Sequence, residues 1–524
     1  SMPRRVPVDS IVTRFSESPF HLSGGRFPTP MTEPPAFAAS PESASVASIL
    51  ASARASQIAW ERRPTRERLA VIERFRVGLV NCVDDLLAAL DRPGRLAAES
   101  LSAEILPLAD ACRFLVTRGE RLLADVVEPA AGRPGWCLGH RVVHRRRPWG
   151  CVLVIGPGNY PLFLPGVQTL QALAAGNAVL WKPGRGGLKV AALVRSIWAE
   201  AGGDERLLGI LSEETAAAEA ALDQGVDLVV LTGSSRSGRA VLERAAQRVT
   251  PAIVELSGCD AVFVLDSADI KLAARAIAFG LNFNAGATCL APRRVFVTAV
   301  RREALEAALL DEVAKLPEKS VDAVALRFAV QRTHEALADG ARMIAGEVPS
   351  SSAEVPQERA LVKPWLLGNG RPSMAFAQSD LFAPTAMVLV AQNLDEMLEF
   401  DCKCPYALGA AVFGASTEAA RFARRVRAGC VVVNDFLAPT ADPRLSFGGS
   451  GASGYGATRG PLGLLAMTRP QAVVTQTLPF RPHLDRIESP RIEQLAALFQ
   501  WEHGCGVWRR MQALVTLVRE TFRK

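Results

Sequence analysis

Residues 150–181 carry no charged side chain. A stretch of that length could cross a bilayer as one helix. Its own residues forbid this. Pro157, Pro161 and Pro165, with Gly156, Gly158 and Asn159, interrupt any continuous helix. What remains reads as a short apolar strand over 151–155, a turn, a helix over 162–174 and a second strand over 178–181. A strand, a turn and a helix returning to another strand is the unit of an open parallel α/β sheet.

The rhythm continues downstream. A helix over 188–201 is followed by a strand over 226–231, a Gly-rich turn at 233–238, a helix to about 247, and strands over 253–256 and 261–265. A second alternating run comprises helix 269–281, strand 294–298, helices 301–314 and 322–345, and strand 386–390. Helix 394–399, strand 409–413, helix 416–427 and strand 430–434 complete it. Upstream, 41–74 and 77–125 show helical spacing, whereas 1–45 is rich in Pro, Ser and Ala without periodicity. The tract 448–456 reads as a loop, 471–477 as a strand, and 486–524 as a basic amphipathic helical tail.

The length of 524 residues predicts two or three domains. The 49% hydrophobic and 22% charged content excludes disorder for most of the chain. The net charge of +7 comes from scattered residues, the one local exception being His144 to Arg147 with Arg141. An anionic cofactor or plain solubility is therefore expected to account for it, and no nucleic acid. Ten cysteines show no disulfide spacing, and Cys402-Lys-Cys404 has no second ligand pair, so free thiols and no metal are expected. No signal-like apolar core opens the sequence, and a cytoplasmic protein is expected.

Four sets of residues could carry chemistry. Gly233-Ser-Ser-Arg-Ser-Gly238 lies between a strand and a helix, where glycines admit an anion to the helix N-terminus; Arg239-Ala240 excludes a P-loop. Cys289 sits in Asn282-Phe-Asn-Ala-Gly-Ala-Thr-Cys-Leu-Ala-Pro292, either as a nucleophile or as a buried structural thiol; no His-Asp pattern surrounds it. Glu255 ends an apolar strand, and an acid there is expensive to bury unless it is paired or functional. Asn159 in Gly156-Pro-Gly-Asn-Tyr-Pro161 follows a strand end, as does Lys182; the amide either shapes the turn or donates to an oxyanion.

In order and spacing these pieces resemble the aldehyde dehydrogenase superfamily over roughly residues 45–478. The matching stretches are Arg147-Pro-Trp-Gly150 with Ile155-Gly-Pro-Gly-Asn-Tyr-Pro161, Ala174-Ala-Gly-Asn-Ala-Val-Leu-Trp-Lys-Pro183 and Thr232-Gly-Ser234 to Gly238-Arg239. Glu255-Leu-Ser-Gly258, Gly286-Ala-Thr-Cys289, Leu381-Phe-Ala-Pro384, Pro405-Tyr-Ala-Leu408, Val433-Asn434 and Ser453-Gly-Tyr-Gly456 complete the series. The resemblance implies an α/β fold of two doubly wound domains plus a small bridging β element. By analogy the NAD(P)-binding domain covers 45–125 and 147–258, the catalytic domain 259–445, and the bridging element 126–146 and 468–478. An arm over 1–44 and a tail over 486–524 lie outside. The bridging element implies a homodimer or homotetramer.

The implied reaction oxidises an aldehyde to its acid. Cys289 attacks as thiolate, Asn159 and the Cys289 backbone N–H hold the oxyanion, and Glu255 activates the water that hydrolyses the thioester. Lys182 resembles the adenosine-ribose contact and Ser234, with Gly233, the pyrophosphate contact. Asp380 and Phe382 resemble the nicotinamide-ribose contact and its neighbour, and Ile155 closes the set. Arg185, where NAD-preferring members often carry Glu, implies NADP or dual use, because guanidinium pairs with a 2′-phosphate. Phe163, Leu164, Val167, Thr288 and Leu290 are expected to line the aldehyde passage. None is charged, which implies a hydrophobic or aromatic substrate.

The sequence departs from the family at Gly158, Ser257, Ala287 and Asp380, and Thr458 stands where a second acid is common. A CoA-acylating enzyme and a non-catalytic scaffold are the alternatives; Glu255 argues against the first. The tail is expected to pack on its own or a neighbouring subunit, with an anionic membrane surface as the alternative.

Overall fold

The computed structural model describes residues 41–479, 481, 484 and 491–521. The arm expected over 1–44 lies outside them up to residue 40. Two parallel-based sheets organise the chain. The first has strands β1 (Cys151–Ile155), β2 (Ala178–Lys182), β3 (Leu208–Ile210), β4 (Leu228–Gly233) and β5 (Ala252–Leu256). The second has β6 (Asp260–Val264), β7 (Pro292–Thr298), β8 (Arg342–Ala345), β9 (Trp365–Gly370), β10 (Thr385–Ala391), β11 (Gly409–Phe413) and β12 (Cys430–Val433). A short strand, β13 (Gly454–Tyr455), closes the first sheet, whose order is β13-β5-β4-β1-β2-β3. The second runs β8-β9-β10-β7-β6-β11-β12. Within the two sheets only β13 on β5 and β8 on β9 pair antiparallel.

The uncharged segment behaves as its prolines require. β1 is fully buried, the chain turns, and helix α1 (Phe163–Ala175) packs with every residue buried before β2 returns beside β1. Gly176, at φ 99°, ends α1 in the left-handed conformation that suits a residue without Cβ. Among the described residues no helix is long and apolar enough to cross a membrane. Before the first sheet, helices Pro41–Arg62, Thr65–Asn81 and Leu106–Leu123 cover it.

Several elements differ from expectation. The helix expected over 322–345 ends at Ala338, where Asp339-Gly340 turns the chain, Gly340 having φ 94°, and 342–345 pairs as β8. The Gly-rich tract 448–456 is partly strand: Gly454 pairs with Glu255 and Tyr455 with Val254. Periodicity missed β13 because two glycine-flanked residues carry no alternation. β3 and β9 were missed also. The strand expected over 471–477 spans Thr468–Gln476 and pairs along its length with His140–Pro148, which also holds Val126–Val127. The tail forms two helices, Arg491–His503 and Val507–Thr521, packed on each other. Glu502 accepts a hydrogen bond from the Gly135 backbone N–H. Their outer face leaves Ile492, Phe499, Trp508 and Val515 exposed.

Candidate active site

One cavity of about 1850 Å³ opens at the carboxyl ends of β1, β2, β4 and β5. Parallel α/β sheets place ligands there because strand ends and helix N-termini converge. Its wall includes Ile155, Asn159, Lys182, Arg185, Gly233, Ser234, Glu255, Cys289, Asp380 and Phe382. All the residues singled out for catalysis or cofactor contact therefore meet in a single space, although they are scattered from residue 155 to 382.

Cys289 is half-buried, with Sγ 4.0 Å from Glu255 Oε1. Glu255, the last residue but one of β5, is 1% exposed, and its Oε2 accepts a 2.6 Å hydrogen bond from the Thr458 hydroxyl. Thr458 thus stands as a neutral donor to the acid. Burial raises the Glu255 pKa above the ordinary carboxyl range, against the pull of Arg459 and of Thr458. Burial, and then the negative charge of Glu255, raises that of the Cys289 thiol; Arg459 opposes this. Burial thus disfavours the charged form of both groups, and Glu255, once ionised, is a stronger base than an ordinary carboxylate.

The cysteine loop is held close to the strand ends. Asn284 and Ala285, at φ 50° and 56°, occupy the left-handed region that costs non-glycine residues energy. Arg293 is 1% exposed and donates to the Ala383 carbonyl at 2.6 Å and the Gly286 carbonyl at 2.5 Å, joining the loop to the 381–384 turn. A Cβ on Gly258 would lie 2.3 Å from the Cys289 carbonyl oxygen, so only glycine admits the loop this near β5. Asn159 Nδ2 donates to the Ala287 carbonyl at 3.0 Å, which leaves its second amide hydrogen for another acceptor.

Sequence reasoning missed the supports of Asn159. Glu104 lies on a π-helical turn, Leu101–Ile105, and accepts from the backbone N–H of Leu162 and Phe163 at 2.7 and 3.2 Å. Arg95 pairs with Glu104 at 2.8 Å and donates to the Asn159 carbonyl at 3.2 Å. Nothing in the local pattern marks a helix interior as the cap of another helix 58 residues away.

The cofactor side suits a dinucleotide. Ser234 caps helix α2 (Ser235–Ala246), accepting from the Ser237 N–H at 3.1 Å, and directs that helix N-terminus at the cavity. Lys182 ends β2 half-buried. Burial lowers its pKa, opposed by Glu213 and Glu214. Asp380 has a fully buried Oδ1 without a partner, and burial pushes its pKa up to about 7, against Arg293 and Ser257. An unpartnered buried acceptor is what a ribose hydroxyl would satisfy.

The expected aldehyde passage is less uniform. Leu164 lines the large cavity, while Phe163 and Val167 line a neighbouring void of about 10 Å³. Thr288 turns to the Tyr160 hydroxyl at 2.7 Å, and Leu290 packs with Leu408 and Phe447; neither lines either of these two spaces. Nor is the wall uncharged, because Arg459 shares the void with Phe163 and Val167. Arg459 lies far along the chain from Asn159 and Cys289, so the residues beside those two do not reveal it.

The cavity at the strand ends thus brings a thiol, an acid and an amide together with the residues expected to hold a dinucleotide. The sequence model described as the aldehyde dehydrogenase family matches residues 30–473, and the chain belongs to that family. It is an oxidoreductase acting on aldehydes.

Among relatives, 4,4′-diapolycopene aldehyde oxidase of Methylomonas is 28% identical over 83% of this chain and 82% of its own length. A Mycobacterium tuberculosis protein carried under the name of an NADP-dependent succinate-semialdehyde dehydrogenase is 29% identical over 82% and 84%. An aldehyde dehydrogenase structure from Burkholderia cenocepacia superposes with a TM-score of 0.74 at 26% identity, covering 83% of this chain and 92% of that one.

Proposed function

We propose that the chain oxidises an aldehyde to its carboxylic acid by a thiohemiacetal and a thioester on Cys289. The observation that carries this reading is the Cys289 Sγ to Glu255 Oε1 contact of 4.0 Å, in the same cavity as Asn159, Lys182, Ser234 and Asp380. Glu255 takes the thiol proton as sulfur bonds the aldehyde carbon. The carbonyl oxygen, now carrying the electron pair, accepts from Asn159 Nδ2 and the Cys289 backbone N–H. A bound nicotinamide supplies the acceptor for the hydride. Loss of that hydride leaves a thioester on Cys289. Glu255, after passing that first proton to solvent, removes a proton from water as its oxygen adds to the thioester carbon; the carbon–sulfur bond then breaks to release the acid, and the sulfur takes the proton back from Glu255.

Lys182, Ser234 and Asp380 would hold the dinucleotide at adenosine ribose, pyrophosphate and nicotinamide ribose, with Phe382 and Ile155 beside it. Arg185, exposed on the cavity wall, supports NADP or dual use. The neighbouring acid Glu213 is engaged with the backbone N–H of Gly186 and Leu188 at 2.8 and 2.7 Å. Glu255 beside the sulfur favours water over CoA as acyl acceptor. The deciding assay follows absorbance of the reduced cofactor with nonanal, benzaldehyde and succinic semialdehyde, with each dinucleotide, with and without CoA. Turnover independent of CoA and abolished by Cys289→Ser is expected; turnover retained by that variant would refute the mechanism.

A further inference from the structure

We propose that the two tail helices, Arg491–His503 and Val507–Thr521, dock the protein on the surface of an anionic bilayer. The tail contributes no residue to the cavity that holds Cys289, so this is a surface apart from the catalytic one. A surface helix ordinarily turns its apolar stripe inward. Here the stripes point out. In the second helix Trp508, Met511, Val515 and Val518 follow one another at helical spacing and share one face. All four are half exposed or more, Trp508 reaching 76%. In the first helix Ile492, Leu495 and Phe499 do the same, with Ile492 72% exposed.

What the helices turn inward is small or polar. Ala497, Ala513 and Glu520 are their buried residues, and the Gln494 amide donates to the Glu520 carbonyl across the pair. Alanines let the helices approach closely but bury little apolar area. The large side chains are left as one outward patch, of a kind that marks a site of interaction in soluble proteins.

The charges are sorted in the same way. Arg509, Arg510 and Arg519 are exposed, whereas Glu520 of the same helix is 7% exposed. At 100° per residue Arg510 and Arg519 flank the apolar stripe on its two sides. Arg510 gives its Nε–H to the Trp501 carbonyl at 2.8 Å, and Arg519 Nε meets Glu520 at 3.0 Å, which leaves further guanidinium N–H groups of both for an outside acceptor. In the first helix Glu502 is turned to the Gly135 backbone N–H, and the exposed acid Glu493 lies off the stripe. Apolar side chains bordered by cations suit the headgroup layer of an anionic membrane, where the apolar groups enter the acyl boundary and guanidiniums meet lipid phosphates. Trp508, with an apolar ring and one N–H, fits that depth. A second copy fits less well, because a two-fold contact through this patch sets arginines against arginines. Among the described residues no helix can cross a bilayer, so the contact stays at the surface.

Co-sedimentation of the full chain with vesicles tests the docking. Vesicles of phosphatidylcholine mixed with phosphatidylglycerol should carry the protein down, phosphatidylcholine alone far less, and added salt should release it. Phe499→Glu with Val515→Glu should abolish binding while leaving the melting temperature and aldehyde turnover in solution unchanged, since both side chains are exposed. Arg510→Gln with Arg519→Gln should weaken binding about fivefold for each arginine. The docking is overturned by wild type remaining in the supernatant with both vesicles, by equal binding to neutral and anionic vesicles, or by undiminished binding of the glutamate variant. A fall in light-scattering mass of the glutamate variant without vesicles assigns the face to a second copy of this chain, and overturns it as well.

Discussion

Asp380 sets cofactor binding against stability. Its pKa moves from 3.8 to about 7 because burial disfavours the carboxylate. That displacement corresponds to about 4 kcal/mol against the charged form in the folded state. The residue is half-buried, and solvent reaching it screens part of this, leaving about 2–4 kcal/mol. The sign follows from linkage. Below 3.8 the group is neutral in both states and nothing is lost. Between 3.8 and about 7 the unfolded chain ionises first, so stability falls as pH rises. Above about 7 the penalty is complete. Asp380→Asn, which cannot ionise, should unfold at a higher temperature than wild type, with an advantage at pH 8 larger than at pH 5. The same variant should raise KM for the dinucleotide about 10- to 100-fold, since a charged acceptor for the ribose is gone. Thermal unfolding of apo protein at both pH values, with cofactor titration of initial rates, measures both effects. An advantage independent of pH, or a less stable variant at pH 8, would refute the argument.

Gly258→Ala should cost about 1–3 kcal/mol and lower kcat by about 100-fold through displacement of the cysteine loop. The added Cβ would stand 2.3 Å from the Cys289 carbonyl, and a melting curve with a rate assay reads both. Thr468–Gln476 is the edge of its three-stranded sheet, with Val474 58% exposed, and an unpaired edge of this kind invites a second copy. We propose that it joins subunits; Val474→Arg should then shift light-scattering mass from a multiple towards the single chain, and an unchanged mass would rule the edge out.

The α/β class was legible because the prolines and glycines of 150–181 permit only strand, turn and helix, whatever surrounds them. The placement of Glu255, Asn159 and Lys182 at strand ends or just beyond them was legible for a related reason: each ends or follows an apolar run too short for a helix. Local sequence could not reveal Glu104 capping α1, Arg293 fastening the cysteine loop, or β13 pairing with β5. Each is one half of an interaction whose other half lies far along the chain. Arg459 shows this most plainly. Its sequence neighbours are Thr458 and Gly460, which say nothing of aromatic rings. Only folding brings Phe163 and Phe447 against it and sets its charge where it pulls on Glu255 and Cys289.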